Sequence, residues 1–357
     1  MRFEHPLLDK YNYPRNEIEE LIEAYRSGKI NQHDNIIREP FQCPQDDDLK
    51  RLPPADSQDY NMMEDIGIKS LEDGELAMVI LNGGMATRFG GVVKGTVEVF
   101  DGRSFLELKI RDGYHVSHKT RFIIMNSFAT AAKTSEHLKM KEFFGMQDSI
   151  WMFDQFIAPR ITEDGTYLDT SDPQAAFYGP GHGDFPYALK TSGLLDKFID
   201  GGGKYIFFSN VDNLGARIVP AMLGFHIMGA SELTAEVAEK SSSDIGGAPM
   251  IVDGKLQLIE GFCFPDDFDH SQIDVFNCSS YWVNAESLKK DFSLPWYLVK
   301  KKVADQAVIQ FEHLAGDMTK FLDTSFIRVS RKERFYPIKR PEDLEANRQD
   351  LKKILGY

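Results

Sequence analysis

The sequence predicts an α/β fold built around a mostly parallel sheet. From Gly74 onward, short apolar runs alternate with helical patterns, which is the order typical of βαβ units. The apolar runs are bounded by Gly, Asn and Asp, as strands that end in loops commonly are. In such sheets ligands bind beyond the carboxyl ends of the strands. The residues that follow each apolar run are therefore the first candidates for a functional site.

The spacing of apolar residues predicts the individual elements. Short apolar runs between turn residues predict strands, and apolar residues three and four positions apart predict helices. The predicted strands are Leu76–Leu81, Arg121–Met125, Tyr205–Ser209, Leu233–Val237 and Asp274–Val283. The predicted helices are Glu17–Ser27, Ala131–Phe144, Tyr187–Gly201, Arg217–Met228 and Glu342–Leu355, with a further amphipathic stretch at 61–72.

Three regions are expected along the chain. Residues 1–73 are polar and predict a mostly helical N-terminal extension. Residues 74–330 carry the α/β alternation and form the main domain. Residues 331–357 are expected to close it with a strand and a helix, and alternation in that strand would put Phe335 on one face and Tyr336 on the other.

Composition narrows the class of protein. The 357 residues are enough for an enzyme-sized core, and the formal net charge of -14 repels nucleic-acid backbones and anionic membranes. The 3 cysteines, without C-x-x-C spacing, favour neither a disulfide framework nor a zinc site. No apolar segment resembles a signal peptide or a membrane span. A protein of the cytoplasm, without nucleic-acid or membrane partners, is expected.

The segment LNGGMATRFGGVVKG, residues 81–95, is the first candidate site. Its glycines would let backbone N–H groups approach phosphate oxygens, and Arg88 and Lys94 would add positive charge. The spacing matches neither the P-loop nor the dinucleotide-binding fingerprint. A phosphate-binding loop and a glycine turn without a ligand both remain open for this segment alone.

Two later loops also follow apolar runs. In YGPGHGDFPYAL, residues 178–189, glycines surround His182 and Asp184, which suits contact with a base or sugar, or a connecting loop whose Asp184 caps a helix. In YIFFSNVDNLGA, residues 205–216, Asn210 and Asp212 follow a strand. Asp212 there could hold Mg²⁺ beside phosphate oxygens or form an Asx turn.

Three more polar side chains are candidates. Lys339 belongs to a basic cluster in an acidic chain, which could hold phosphate or be a solvated face. Glu260 and Asn277 lie beside apolar stretches and could bind hydroxyls or occupy surface turns. The basic cluster consists of Arg328, Arg331, Lys332, Arg334, Lys339 and Arg340.

In this order, the segments resemble the UDP-glucose pyrophosphorylase (UTP–glucose-1-phosphate uridylyltransferase) family, which includes UDP-N-acetylglucosamine and UDP-sugar pyrophosphorylases. The resemblance implies a nucleotide-diphospho-sugar transferase fold, a Rossmann-like, GT-A type three-layer sandwich. Because the chain ends shortly after Lys339, the C-terminal β-helix domain of the eukaryotic members is expected to be missing. The matching pieces span residues 81–344 and are LNGGMATRFGGVVKG, SFLELK, FDQFIAPRI, GPGHGDF, FFSNVDNLGA, DVFNCSSYWVN, VIQFEHLAGD and RFYPIKRPEDL.

The resemblance also implies an activity and its residues. The reaction is UTP plus sugar 1-phosphate to UDP-sugar plus pyrophosphate, with Mg²⁺ on Asp212. Lys94 and Arg88 would stabilise the leaving pyrophosphate, and Lys339 would hold the incoming phosphate. The nucleotide would contact Leu81, Asn82, Gly83, Gly84, Gln155 and Gly181, and the sugar phosphate would contact His182, Asn210, Glu260 and Asn277.

Two residues depart from the family pattern. Ala86 stands where the loop usually has glycine, and Val93 replaces a proline before Lys94. Glucose 1-phosphate is the expected sugar because GHGD resembles the hexose enzymes. Galactose 1-phosphate, broad specificity and a non-catalytic sensor of nucleotide sugars are the alternatives. A nicotinamide-dependent dehydrogenase is disfavoured because its glycine fingerprint is missing.

Overall fold

A computed structural model describes residues 4–86, 91–241, 244, 246–303 and 305–357, with the backbone alone for residues 85 and 86. Its strands, in chain order, are β1 (Phe41–Gln42), β2 (Leu76–Leu81), β3 (Met85–Ala86), β4 (Val92–Val93), β5 (Glu98–Phe100), β6 (Arg103–Ser104), β7 (Arg121–Asn126), β8 (Ile150–Asp154), β9 (Ala158–Pro159), β10 (Ile161–Thr162), β11 (Phe177–Tyr178), β12 (Tyr205–Asn210), β13 (Leu233–Glu239), β14 (Ala248–Val252), β15 (Lys255–Ile259), β16 (Val275–Asn284), β17 (Tyr297–Val303), β18 (Gln306–Glu312) and β19 (Thr324–Val329).

The helices lie between these strands and at both ends of the chain. They are α1 (Pro6–Lys10), α2 (Arg15–Arg26), α3 (Gln58–Asp73), α4 (Phe105–Val116), α5 (Ala131–Met140), α6 (Pro173–Ala176), α7 (Phe185–Thr191), α8 (Leu194–Asp200), α9 (Pro220–Gly229), α10 (Arg331–Arg334) and α11 (Pro341–Ile354).

A seven-stranded sheet in the order β19-β13-β16-β12-β2-β7-β8 forms the centre of the described chain. Strands β12, β2, β7 and β8 are parallel neighbours, whereas β16 runs antiparallel between β12 and β13. The predicted, mostly parallel α/β sheet is therefore confirmed. The five predicted strands all occur, with ends shifted by two residues at most.

Both faces of the sheet are buried. Along β2, Val79 packs into one core and Met78 into the other, as the two-residue period of a strand requires. Helices α7 and α8 cover the first face, and α4, α9 and α11 contribute to the core on the second. Burial on both sides explains the uninterrupted apolar run of β2 in the sequence.

The predicted helix Tyr187–Gly201 is wrong as a single element. It is divided into α7 and α8 because Gly193 adopts a left-handed conformation, with φ of 73°. The predicted helix Ala131–Phe144 likewise stops at Met140, since Phe143 and Phe144 have φ of 50° and 57°. These breaks depend on local backbone conformations that an apolar pattern does not reveal.

The strand-like reading of the C-terminal tail is also wrong in part. Strand β19 ends at Val329, and the next residues form the short helix α10 instead of continuing the strand. The Arg334 guanidinium turns inward and binds the buried carboxylate of Glu236, with Nε 2.9 Å from Oε2. Arg334 is the last residue of α10, and α11 then follows close to its predicted bounds.

Residues of the N-terminal region pack along the main domain. Strand β1 pairs with β14, and Lys50 bridges to Ile327 in β19. On α2, Ile18 and Ile22 enter a small core formed with β17 and β18. In the described part of the chain, no helix has the length and apolar character needed to span a bilayer. The three cysteines are free thiols.

Candidate active site

Several parallel strands end at one edge of the sheet, and a cleft of about 590 Å³ opens there. Loops that follow β2, β7, β8 and β12 line it, as expected for the carboxyl edge of an α/β sheet. The predicted residues among its lining are Leu81, Gly83, Gly84, Gln155, Gly181, His182 and Asn210. One cleft thus contains residues from four separate motifs.

The Gln155 side chain lies between two glycines. A Cβ atom at Gly83 would be 2.7 Å from its Oε1, and one at Gly179 would be 1.5 Å from its Nε2. Any side chain at either position would displace this amide. Because an amide offers both a donor and an acceptor, Gln155 can pair with the edge of a planar base such as uracil.

The loop after β2 is held by the neighbouring strand. Ser127 Oγ donates a hydrogen bond of 2.7 Å to the carbonyl of Gly83. The Asn82 side chain turns into the interior and donates to Asn126 Oδ1 at 3.0 Å and Thr134 Oγ1 at 2.9 Å. Asn82 therefore supports the loop from the protein interior, while Leu81, Gly83 and Gly84 border the cleft itself.

The second glycine loop contributes Gly181 and His182. Gly181 has φ of 103°, a conformation that favours glycine, and a Cβ there would be 2.4 Å from the carbonyl oxygen of His313. The Nδ1 atom of His182 accepts a hydrogen bond of 2.9 Å from the backbone N–H of Ala315. Burial, with the nearby His313 as a second cause, lowers the pKa of His182 to about 4. At neutral pH the imidazole is therefore uncharged.

Lys94 and Asp212 meet although they are 118 residues apart. Lys94 Nζ lies 2.5 Å from Asp212 Oδ2, and both side chains are mostly buried. Val93 supplies the extended backbone that precedes Lys94, with φ of -70° and ψ of 119°, so the missing proline is not needed for this conformation. The pair places one cation and one carboxylate at the loop that follows β12, where Asp212 stands two residues after the cleft residue Asn210.

A second lysine supports the Asp212 loop from inside. Lys109 on α4 is buried, and its Nζ donates to the carbonyls of Asn213 at 2.7 Å and Ala216 at 3.2 Å. Burial lowers its pKa to about 7, while the negative charge of Asp212 acts in the opposite direction. Lys109 belongs to the SFLELK motif, but its role as a loop support was not predicted.

The C-terminal tail brings Lys339 to the same loop. The backbone N–H of Ile338 donates to the Asp212 carbonyl at 3.3 Å, and Asn213 forms a bridge with Pro337. The Asn213 side chain also accepts from the Tyr336 N–H at 2.9 Å. The Lys339 side chain is exposed, one residue beyond this contact.

Glu260 and Asn277 approach each other around Tyr281. Asn277 Nδ2 donates to the Tyr281 hydroxyl at 2.7 Å. A Cβ at Gly316 would lie 3.3 Å from Glu260 Oε1 and 3.4 Å from the same hydroxyl. Burial, followed by the charge of Asp317, raises the pKa of Glu260 to about 7. Glu260 directly follows β15 and Asn277 is the third residue of β16, and neither residue lines the cleft around Gln155.

The basic cluster of the tail is not one solvated face. Arg334 is buried against Glu236, and the half-buried Arg331 pairs with Asp244. Arg328 reaches Asp46 in the N-terminal region at 3.3 Å. These three arginines hold the tail in place, and Lys339 and Arg340 are the members that follow the Asp212 contact at Ile338.

Two of the predicted positions cannot be compared with the structure, and several residues that line the cleft were not predicted. Arg88 and the side chain of Ala86 lie outside the described residues. Arg160, which lines the cleft, stands in the FDQFIAPRI motif and was open to prediction from it. Tyr178 and Gln310 also line it and stand in the YGPGHGDFPYAL and VIQFEHLAGD motifs, whereas Ser127, Phe128 and Lys302 lie outside the motifs.

Asp212 is the residue of this site that could hold a metal ion. The described residues contain no cluster of three or more His, Cys, Asp or Glu side chains suited to a metal. Mg²⁺, however, commonly binds one or two protein carboxylates and completes its shell with water and substrate phosphates. A single carboxylate beside Lys94 therefore fits a metal that arrives with a phosphate ligand.

The cleft is lined by glycines and lies at the carboxyl edge of a mostly parallel sheet. It offers an amide suited to a base, with cations beside it. These features define the class of nucleotide-binding α/β proteins. The family model described as UTP–glucose-1-phosphate uridylyltransferase matches residues 32–354. The chain belongs to this family of nucleotidyltransferases, as the order of its motifs predicts.

Individual curated relatives carry the same name as the family model. The chain is 30% identical over 346 residues to UTP–glucose-1-phosphate uridylyltransferase of Encephalitozoon cuniculi, covering 92% of this chain and 67% of the relative. It is 32% identical over 297 residues to the enzyme of that name from Solanum tuberosum, covering 78% and 62%. The chain thus spans roughly 60 to 67% of the length of the curated relatives it matches first.

Solved structures share the fold. A Trypanosoma brucei UDP-glucose phosphorylase superposes with a TM-score of 0.77 and 26% identity, covering 93% of this chain and 74% of that one. A variant of Leishmania major UDP-glucose pyrophosphorylase in complex with UDP-Glc gives a TM-score of 0.72 and 26% identity, covering 90% and 77%.

Proposed function

We propose that this chain transfers the uridylyl group of UTP to a hexose 1-phosphate, with glucose 1-phosphate as the preferred sugar, and releases pyrophosphate. The observation that carries the proposal is the placement of Gln155 between Gly83 and Gly179 in the same cleft as His182 and Asn210. This arrangement offers a base contact and sugar-phosphate contacts in one cavity. Family membership supports the same reaction.

The chemistry requires no nucleophile from the protein. A sugar 1-phosphate is already anionic near neutral pH, so one of its phosphate oxygens attacks the α-phosphorus of UTP. A new P–O bond forms as the bond to the bridging oxygen breaks, and pyrophosphate leaves with that electron pair. The protein's task is to align the two phosphates and to neutralise their charge.

Lys94 is assigned to the charge that develops on the leaving pyrophosphate. Its ammonium group is already fixed in position by Asp212, 2.5 Å away. The lysine side chain therefore needs little reorganisation when the substrates bind. Arg88 is assigned to the same triphosphate loop. Lys339 is assigned to the incoming sugar phosphate, because its segment binds the backbone of Asp212.

Mg²⁺ is the proposed cofactor, held by Asp212 together with substrate phosphate oxygens. When bound, such an ion supplies charge neutralisation and orientation to the phosphates. The Asp212 carboxylate is positioned for this by Lys109, which ties down the following loop through the carbonyls of Asn213 and Ala216.

The remaining predicted residues divide between base and sugar. Gln155 and Gly181 are assigned to uracil, with Leu81, Gly83 and Gly84 along the nucleotide and Asn82 supporting them. His182 and Asn210 are assigned to the sugar phosphate. Glu260 and Asn277 are assigned to hexose hydroxyls, because Asn277 binds the Tyr281 hydroxyl, and this hydroxyl and Glu260 Oε1 both face Gly316.

The finer architecture and location belong to this proposal. We assign the chain to the GT-A type of nucleotide-diphospho-sugar transferase fold, with residues 1–73 as a helical extension, 74–330 as the catalytic domain and 331–357 as the closing segment. The free thiols Cys43, Cys263 and Cys278 support a reducing compartment such as the cytoplasm.

The test is pyrophosphate release by the purified chain with UTP, Mg²⁺ and a panel of sugar 1-phosphates. Glucose, galactose and N-acetylglucosamine 1-phosphates should be compared, and the product identified by chromatography. UDP-glucose as the main product confirms the proposal, and similar rates across the panel would indicate broad specificity. Binding of UDP-glucose without turnover would instead support a sensor.

A further inference from the structure

Asp184 and His313 form a buried hydrogen-bonded pair behind the second glycine loop. His313 Nε2 lies 2.5 Å from Asp184 Oδ1, and both side chains are almost completely inaccessible to solvent. The His313 ring stacks with Trp296 at 4.0 Å and with Tyr187 at 5.7 Å between centroids. Rotation of this ring would break the hydrogen bond to Asp184 and both stacked contacts, so its orientation is well determined.

The pair connects the segments that line the cleft. Asp184 Oδ2 accepts a hydrogen bond of 3.0 Å from the backbone N–H of Phe156, the residue after Gln155. The His313 backbone binds the glycine loop twice, through the Pro180 carbonyl and the Gly183 N–H, each at 2.9 Å. The loop that carries His182 is therefore tied to the chain around His313 at both ends.

The same connection defines which nitrogen of His182 carries the proton. Ala315, two residues after His313, donates its backbone N–H to His182 Nδ1 at 2.9 Å. A nitrogen that accepts this bond cannot itself be protonated, so the neutral ring carries its hydrogen on Nε2. Because His182 lines the cleft, the Nε2–H is the donor left for a ligand.

We propose that the Asp184–His313 pair positions His182 as an uncharged hydrogen-bond donor, with its proton on Nε2, for a phosphate oxygen of the sugar phosphate. This rests on the proposed function for the identity of the ligand. The fixed tautomer itself is a property of the free protein. His182 acts in this arrangement by donating a hydrogen bond, and it does not transfer a proton to the substrate.

The charged surroundings agree with this state. The ionisable groups facing His182 are His313 and, through it, Asp184, on the segments packed against the loop. Burial of His182 lowers its pKa to about 4, so the ring stays neutral from pH 5 upward. A donor of constant charge across this range would make sugar-phosphate binding insensitive to titration of His182.

The test uses the full chain labelled with ¹⁵N-histidine. Long-range ¹H–¹⁵N correlation spectra recorded from pH 5.5 to 8 should show His182, assigned by difference from His182→Asn, as a single Nε2–H tautomer that does not titrate. Titration near pH 6.5, or a mixture of tautomers, overturns the proposal. Neither result depends on turnover, so failure of the proposed reaction remains a separate outcome.

Variants of the pair then test the positioning role. His313→Leu should give mixed His182 tautomers and about tenfold weaker UDP-glucose binding by calorimetry, whereas His313→Gln, which keeps a donor toward Asp184, should recover most of both. Tyr187→Phe keeps the stacked ring and serves as the control. An unchanged His182 spectrum in a folded His313→Leu protein contradicts the positioning role. If that variant does not fold, Asp184→Asn, which keeps the size of the side chain and removes its charge toward His313, is measured in its place, and an unchanged His182 spectrum there contradicts the positioning role equally.

Discussion

At the scale of single residues, Lys94 is the side chain on which the proposed chemistry depends most. Its Nζ is held 2.5 Å from Asp212 in a partly buried position, where a fixed charge stabilises a transition state more strongly than in water. Loss of such a group commonly costs about 3–4 kcal/mol, or roughly 10²–10³ in rate.

We therefore expect Lys94→Ala to lower kcat by that factor, with a smaller change in KM for UTP. The measurement is steady-state pyrophosphate release. Lys204→Ala is the matched control, because Lys204 is an exposed lysine paired with Glu75 and lies before β12 at the other end of that strand. Unchanged turnover of Lys94→Ala would remove Lys94 from the mechanism.

Asp212→Asn tests the metal assignment. The substitution keeps the size of the side chain and removes the charge that faces Lys94. We expect kcat to fall at least about 100-fold and the Mg²⁺ concentration for half-maximal rate to rise, since the ion loses its carboxylate ligand. A Mg²⁺ titration of the rate measures both, and thermal unfolding reports whether the fold is intact. Wild-type Mg²⁺ dependence would contradict the assignment.

At the scale of elements, helices α3 and α9 pack with their backbones in close contact. A Cβ at Gly224 would lie 1.8 Å from the carbonyl oxygen of Met63, and one at Gly67 would lie 1.9 Å from that of Pro220. Neither carbonyl can move without disturbing a helix. Glycine is required at these two positions by the approach of the helices, since neither has a positive φ.

We expect Gly224→Ala to destabilise the protein by about 1–3 kcal/mol, as overpacked sites do. Gly229→Ala, in the same helix, is the control, because a Cβ there would meet no atom within 4 Å. That control should be neutral or slightly stabilising, as alanine favours the helix. Urea unfolding measures both variants, and equal midpoints would contradict the close packing.

Elements also differ in how well their sequences predict them. Strands β2 and β12 were predicted almost to the residue, because burial on both faces gives continuous apolar runs between polar loops. The hairpin of β17 and β18 was missed, since β17 exposes Lys300, Lys301 and Lys302 in succession, and this run hides any alternation.

At the scale of the whole molecule, stability should depend on pH through Glu260. Its pKa of about 7 in the folded state exceeds the ordinary value of 4.5, so the folded protein binds more protons than the unfolded chain between these values. The contribution of Glu260 to the free energy of unfolding is therefore most favourable below about pH 4.5. It becomes less favourable as the pH rises toward 7.

We expect Glu260→Gln to remove this dependence, which for such a shift is on the order of 3 kcal/mol. The free energy of unfolding in urea should be compared for both proteins at pH 5 and pH 8. The wild type should lose more stability than the variant over this interval. Parallel losses in the two proteins would contradict the raised pKa.

The site itself was predictable in its parts and not in its connections. Glycines, Asp212 and Lys339 stand in recognisable motifs, so the sequence alone placed them near strand ends. The Lys94–Asp212 contact joins residues 118 apart, and the Asp184–His313 pair joins residues 129 apart. Such contacts depend on sheet order and loop packing, which no local pattern encodes. Lys109 and His313 were missed for this reason.

The most direct test of the account is exchange of labelled pyrophosphate into UTP, measured with and without glucose 1-phosphate in the presence of Mg²⁺. Direct attack by the sugar phosphate on the α-phosphorus predicts exchange only when glucose 1-phosphate is present, with strong loss in Lys94→Ala. Exchange without any sugar phosphate would indicate a uridylyl-enzyme intermediate and contradict the account, as would the absence of exchange when all substrates are supplied.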